Sequence, residues 1–131
     1  MRTYVTTLTL VFTLIVSSLL TSSVQANEKT MTASWYGPGM QCYQTKKGCL
    51  LLMANGEMFD MNDPTVVAHK TLPFGTKLRL THPKTKVSII VEVQDRGPFV
   101  KGRELDLSKG AAKKIGIIKH GEAELLVELL K

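Results

Sequence analysis

Seven consecutive residues, Val87-Ser88-Ile89-Ile90-Val91-Glu92-Val93, constrain the fold more than any other stretch of the chain. Branching at Cβ costs rotamer freedom in a helix and suits a pleated surface, so this run reads as a strand. Asp95-Arg96-Gly97-Pro98-Phe99 follows and cannot prolong it. Pro98 lacks a backbone donor, and Gly97 admits a positive φ. A long strand needs partners, and shorter candidates lie on both sides. Thr32–Tyr36 is aromatic and is stopped by Gly37-Pro38-Gly39. Val66-Val67-Ala68 reads as a short buried strand. In Thr76–Thr81, Leu78 and Leu80 alternate with Lys77 and Arg79, the period of a half-buried strand. His82-Pro83-Lys84-Thr85 is a hairpin turn into the long strand, and Arg103–Leu107 alternates again.

Ser108 is an N-cap candidate for a short helix through Ile115, ended by Gly116. Gly110 weakens that helix by about 1 kcal/mol relative to Ala. Glu122–Leu130 favours helix by its Glu and Leu content. It is assigned as a strand, because only a strand there completes a closed sheet. Residues 40–64 carry Gly, Asn, Asp and Pro between short apolar pieces and read as a long loop of the functional or stapled kind. Leu72–Gly75 is a turn. Six short strands and one helix predict a mainly β fold, a small barrel.

The chain has 131 residues, enough for one domain. A hydrophobic content of 44% with 21% charged residues excludes a disordered chain. That hydrophobicity is uneven. Residues 1–26 hold one charge, Arg2, ahead of an apolar stretch from Val5 to Leu20. Val24-Gln25-Ala26 then places small residues at −3 and −1 of a cleavage point. The apolar stretch falls short of the roughly 20 residues of a spanning helix. The reading is a signal peptide over 1–26, cleaved after Ala26, and one exported domain over 27–131. No cysteine stands at the cleavage point, so there is no lipobox. The expectation is a periplasmic or extracellular monomer without a stable membrane anchor. Export favours a disulfide between Cys42 and Cys49, which have six residues between them. The chain-entropy argument assigns such a loop roughly 2.5 kcal/mol. A metal pair is the alternative, although no histidine lies within ten residues of either cysteine.

Several motifs carry a family likeness. They are Ala33-Ser34-Trp35-Tyr36-Gly37, Ala54-Asn55-Gly56-Glu57-Met58-Phe59-Asp60, Ala68-His69-Lys70-Thr71-Leu72-Pro73-Phe74-Gly75-Thr76, Asp95-Arg96-Gly97-Pro98-Phe99 and Arg103-Glu104-Leu105-Asp106-Leu107-Ser108. In this order, and over essentially all of 31–130, they resemble the rare lipoprotein A (RlpA) family. The resemblance implies a six-stranded double-psi β-barrel, the fold of expansins and family 45 glucanases. It also implies a lytic transglycosylase that cuts peptidoglycan between N-acetylmuramic acid and N-acetylglucosamine and leaves a 1,6-anhydro end. An expansin-like protein that grips glycan without cutting it is the alternative, and a two-carboxylate hydrolase is a third reading.

Such cleavage protonates the leaving oxygen as oxocarbenium character develops at the anomeric carbon. When the substrate's own C6 hydroxyl replaces water, one carboxylic acid can donate first and accept later. Asp95 is the candidate, where the longest strand meets an exposed loop. The residues alone leave open that it caps the turn or pairs with Arg96 or Arg103; the resemblance implies catalysis. By the same resemblance Glu57 and Asp60 line the cleft, and His69 is a cleft histidine. Trp35 and Tyr36 are sugar-stacking candidates, with Trp35 alternatively core. Arg96 is a supporting residue, Asp106 is read as orienting backbone or Arg103, and Phe74 and Phe99 as packing or rim.

His82 and His120 are isolated in the sequence, and no ligand spacing calls for a metal. No phosphate-binding glycine loop or Ser-His-Asp signature calls for a cofactor or another chemistry. The formal charge of +6 falls to +5 without the first 26 residues, read first as a solvated basic face and second as a surface suited to anionic wall polymer or lipid headgroups. The exported address excludes nucleic acid as the partner and leaves peptidoglycan glycan strands. Thiol labelling of the exported protein, denatured but unreduced, should give no adduct at Cys42 or Cys49. Two labelled thiols would show that the bridge does not form.

Overall fold

The computed structural model describes residues 27–36, 43–46 and 48–131, with the backbone alone at 43–45 and 48–50. The strands are β1 (Glu28–Tyr36), β2 (Tyr43–Thr45), β3 (Gly48–Leu50), β4 (Val66–His69), β5 (Lys77–Thr81), β6 (Ser88–Asp95), β7 (Leu105–Ser108) and β8 (Glu122–Leu130). One helix, α1 (Lys109–Ile115), lies between β7 and β8. Six strands close into a barrel in the order β1-β7-β4-β6-β5-β8, and β2 pairs with β3 apart from it. The pairs β1–β7 and β4–β6 are parallel, and the other barrel pairs are antiparallel.

Alternation builds the interior. Ala33, Val67, Leu78, Leu80, Val91, Val93, Leu105, Leu107, Leu125 and Val127 are buried in one cluster. The last segment shows tertiary context overruling propensity. Glu122–Leu130 pairs along its length with β1 on one side and β5 on the other, so its backbone groups complete two ladders at once. As a helix it would leave both neighbours with open edges.

The helix closes the barrel. Ser108 Oγ accepts from the Ala111 amide, Gly116 ends the helix at φ 87°, and Ala111, Ala112 and Ile115 face the core. Both caps stand where the sequence places them. The expected loop over 40–64 holds more structure than anticipated. It contains the β2–β3 hairpin and a bridge between Leu52 and Met58. β1 starts earlier than expected, because Glu28–Met31 finds its partners on β8. The Cys42–Cys49 pairing and the 1–26 segment lie outside the described side chains.

A second, smaller cluster lies outside the barrel wall. Met53, Phe59 and Val66 are buried there with Tyr36, Leu51 and Met61 against them. It anchors the 51–63 loop to the outer face. The loop's far end is tied to the start of the helix. Gly110 N–H donates to the Met61 carbonyl at 2.9 Å, and Ser108 Oγ–H donates to the Asp63 carbonyl. A Cβ at Gly110 would sit 2.2 Å from the Asn62 carbonyl oxygen. Helix propensity is thus given up there for close approach of two backbones. Gly110→Ala should therefore destabilise the fold by about 1–3 kcal/mol, the usual range for overpacking, despite alanine's better propensity. Urea unfolding checks this; an unchanged or raised midpoint would show that the loop can lift away freely.

Candidate active site

The register of β4 against β6 slips by one residue. Val66 faces Glu92 and Val67 faces Val93, but Ala68 faces Asp95, so Gln94 is an extra residue on β6. Val91 and Val93 point into the core, and strict alternation would send Asp95 in after them. The bulge turns Asp95 to the outer face instead. There its Oδ1 accepts the Ala54 N–H at 2.7 Å and the Arg96 N–H at 2.9 Å. Both donors converge on one oxygen. Among the described residues no hydrogen bond engages Oδ2.

On its other side Ala68 faces Asp106 of β7, and Asp106 faces Ser34 of β1. Asp95, Ala68, Asp106 and Ser34 therefore form one line across four strands, on the order of 14 Å at ordinary strand spacing. Leu105 and Leu107 fill the interior, so Asp106 points outward. Ser34 Oγ–H donates to Asp106 Oδ1 at 2.9 Å, drawing that carboxyl toward β1. Asp95 is drawn the opposite way, toward the loop.

The two acids sit in different surroundings. Burial first, and the Asp95 charge last, raise the Asp106 pKa from 3.8 to about 6, against the Ser34 hydrogen bond and the Arg103 charge. The Tyr36 phenol is pushed upward by burial and then by the charges of Asp95 and Asp106. Its hydroxyl is buried without a hydrogen-bond partner among the described residues.

The remaining candidates divide. The His69 ring accepts the Thr71 and Leu72 amides on Nδ1, at 3.1 and 2.9 Å, which puts the neutral ring's proton on Nε2. Burial lowers its pKa, with Lys29, Arg96 and Lys70 acting the same way and Glu104 opposing. Arg96 donates from Nη1 to the His69 and Leu72 carbonyls, and its guanidinium lies 3.9 Å from the centre of the Phe74 ring. It braces the turn after β4. Glu57 is exposed on the turn that Asp95 holds through Ala54, and Asn55 Nδ2 donates to its Oε2 at 3.4 Å. Asp60 accepts the Asn62 amide in a local turn.

Tyr36, expected as a sugar-stacking aromatic, is half-buried and has its ring stacked on Phe59 with centroids 4.8 Å apart. Trp35 packs partly against the barrel core and lines a depression with Ser34, Arg103 and Gly121. A second depression of about 480 Å³ is lined by Leu52, Met53, Ala54, Asp95, Arg96 and Phe99. The two depressions lie at opposite ends of the four-strand line, one at Ser34 and one at Asp95. Sequence reasoning missed Asp106 as a site group. Its pairing is with Ser34, whereas Arg103 is paired with Glu122. The available signal was an acid flanked by Leu105 and Leu107, hence on the outer face.

Residues 28–127 match the family described as "Lytic transglycolase". The chain is 44% identical over 98 residues to the endolytic peptidoglycan transglycosylase RlpA of Campylobacter jejuni, covering 75% of this chain and 32% of that protein. Against the RlpA of Neisseria meningitidis it is 42% identical over 100 residues, 76% of this chain and 38% of that one. The chain thus spans about a third of the length of these curated relatives. Among solved structures, Streptomyces papain inhibitor aligns at a TM-score of 0.59 and 17% identity, over 82% of this chain and 98% of the other. The expansin of Clavibacter michiganensis aligns at 0.51 and 20%, over 79% of this chain and 50% of its own. These likenesses bear on fold, and with them the barrel is of the double-psi kind.

The raised pKa of Asp106 has a thermodynamic consequence. Between about 4 and 6 the folded protein binds the Asp106 proton more tightly than the unfolded chain does. Its contribution is fully present below about pH 4 and is lost as pH rises through 6. Asp106→Asn keeps an acceptor for Ser34 and removes that titration. Unfolding free energies at pH 4.5 and 7.5 should show the variant losing less stability between the two than the parent. Parallel curves would place Asp106 in solvent.

Proposed function

The chain belongs to the RlpA-like lytic transglycolase family, and from that premise we propose that it is an exported, cell-wall-associated enzyme that cleaves peptidoglycan glycan strands with Asp95 as general acid and base. The bond is that between N-acetylmuramic acid and N-acetylglucosamine. One observation carries the reading: the β6 bulge turns Asp95 into an open depression, with Oδ1 fastened by two amides and Oδ2 unengaged among the described residues.

The steps follow from that geometry. Protonated Asp95 gives its proton to the glycosidic oxygen as the C1–O bond breaks and C1 takes on oxocarbenium character. The C6 hydroxyl of the same muramic acid then adds to C1 and returns its proton to the Asp95 carboxylate. Water is not consumed, the acid is regenerated, and the product ends in a 1,6-anhydro ring. In this reading Glu57, on the turn held by Asp95, and the Nε2–H of His69 hold sugar hydroxyls or acetamido groups. Fixing Oδ1 lets Oδ2 serve as donor and acceptor without a change of rotamer.

A second reading has its own support. Asp106 is the acid that keeps its proton to about pH 6. In that reading Asp106 donates to the leaving oxygen and Asp95 accepts. Substitution separates the two. With Asp95 as the sole acid/base, Asp95→Asn should lower turnover by about 10²- to 10⁴-fold or more, while fold and glycan binding persist. Glu57→Gln and Asp60→Asn should cost less. Equal collapse on Asp106→Asn would favour the shared mechanism. The assay is release of sugars from sacculi, identified by mass. Anhydro ends support the proposal and reducing ends indicate hydrolysis. Binding without release indicates an expansin-like grip, and full activity of Asp95→Asn would remove Asp95 from the chemistry.

A further inference from the structure

Phe99 sits in the same depression as Asp95 and is 83% exposed, although a bare phenyl ring gains from leaving water. Local structure holds it there. Gly97 and Pro98 are buried, and Gly97 adopts a φ of 125° that favours glycine. The ring folds back over Gly97, so that a Cβ at that position would lie 3.6 Å from Phe99 Cε2. One edge of the ring lies beside the space left by the missing Gly97 side chain, and most of the ring is open. The neighbouring aromatics each have a ring face engaged: Tyr36 is stacked on Phe59, and Phe74 carries the Arg96 guanidinium.

The apolar surface extends beyond one ring. Leu52 lines the depression beside Phe99, and it bridges directly to Met58. Side chains facing one another across an antiparallel bridge share a face. Both are exposed, so Phe99, Leu52 and Met58 make an apolar rim on the loop side of Asp95. The depression at the other end of the line is lined by Ser34, Trp35, Arg103, His120, Gly121 and Glu122.

We propose that Phe99, flanked by Leu52, is the stacking platform of an amino-sugar subsite next to the scissile bond, taking the apolar face of one pyranose ring. The occupant follows from continuity: a glycosidic oxygen brought to Asp95 Oδ2 leaves one adjoining ring over the surface that Phe99 shares with Asp95. The inference rests on the glycan-cleaving reading above and adds to it the residue that holds the sugar. Phe99 is a binding residue in this account and moves no proton.

The test measures binding apart from turnover. A stem-peptide-free GlcNAc–MurNAc tetrasaccharide is titrated calorimetrically into the Asp95→Asn protein, with and without Phe99→Ala. The Ala change should weaken binding roughly tenfold, the scale of a buried aromatic anchor. Phe99→Tyr should restore it, and melting should not move, since the side chain is exposed. In the Asp95 protein, KM should rise with kcat little changed. Unaltered binding in Phe99→Ala, or loss that Tyr does not restore, would overturn the subsite. Weakened binding restored by Tyr, in a protein that releases no sugar, would keep the subsite and discard the cleavage reading.

Discussion

One extra residue in one strand is the feature on which the site depends. Along β6 the side chains of Val91 and Val93 enter a barrel filled by valine, leucine and alanine. Without the bulge at Gln94, Asp95 would follow them, and an ionised carboxylate there would meet no partner able to offset its desolvation. The bulge removes that conflict and creates the site in the same step. It puts Asp95 on the outer face, level with Ala68 and Asp106. It also leaves the Gln94 carbonyl to accept the Asn55 amide at 3.3 Å while Asp95 holds Ala54. The loop over the barrel is thereby fastened at the point where the chemistry is proposed.

The same loop is fastened again at its other end. The Gly110 amide and Ser108 hydroxyl hold Met61 and Asp63, and the cluster of Met53, Phe59 and Val66 fills the space beneath. A loop tied at both ends over its own small core behaves as part of the scaffold, which suits the proposed hold on a glycan beside Asp95. Local choices with a cost of their own, such as glycine inside a seven-residue helix, make sense as terms of this attachment. Surface ion pairs such as Lys29–Glu104 and Arg79–Glu128 are exposed and contribute little by comparison.

The electrostatics divide the labour between two carboxyls of the same chemical type. Asp106 is mostly removed from water and retains its proton to about pH 6. Asp95 faces an open depression, with one oxygen secured by amides. The Tyr36 hydroxyl, buried and unpartnered among the described residues, lies in the field of both and stays protonated. The surroundings differ as well: Leu52, Met53 and Phe99 border Asp95, whereas Trp35, Arg103 and Glu122 border Ser34. Such asymmetry gives a groove a direction, and a glycan of alternating sugars has one too.

The barrel and its punctuation were legible in local sequence patterns. Period-two alternation in Lys77–Thr81 and the β-branched run of β6 are local signals, and so are the helix caps at Ser108 and Gly116. Neighbouring residues suffice to read them. The motif resemblance also placed Asp95 at the strand end and led to the family. Only the tertiary structure decided what those residues face. Glu122–Leu130 is a strand because β1 and β5 both need it, against its own propensity. Asp106 belongs to the site because β4 lies between β6 and β7, a neighbour relation that no local pattern encodes. Tyr36 is half-buried because Phe59 of the 51–63 loop stacks on it, whereas Phe99 stays exposed beside the same loop. Register, burial and pKa depend on residues distant in the chain, and those distances collapse only when the barrel closes.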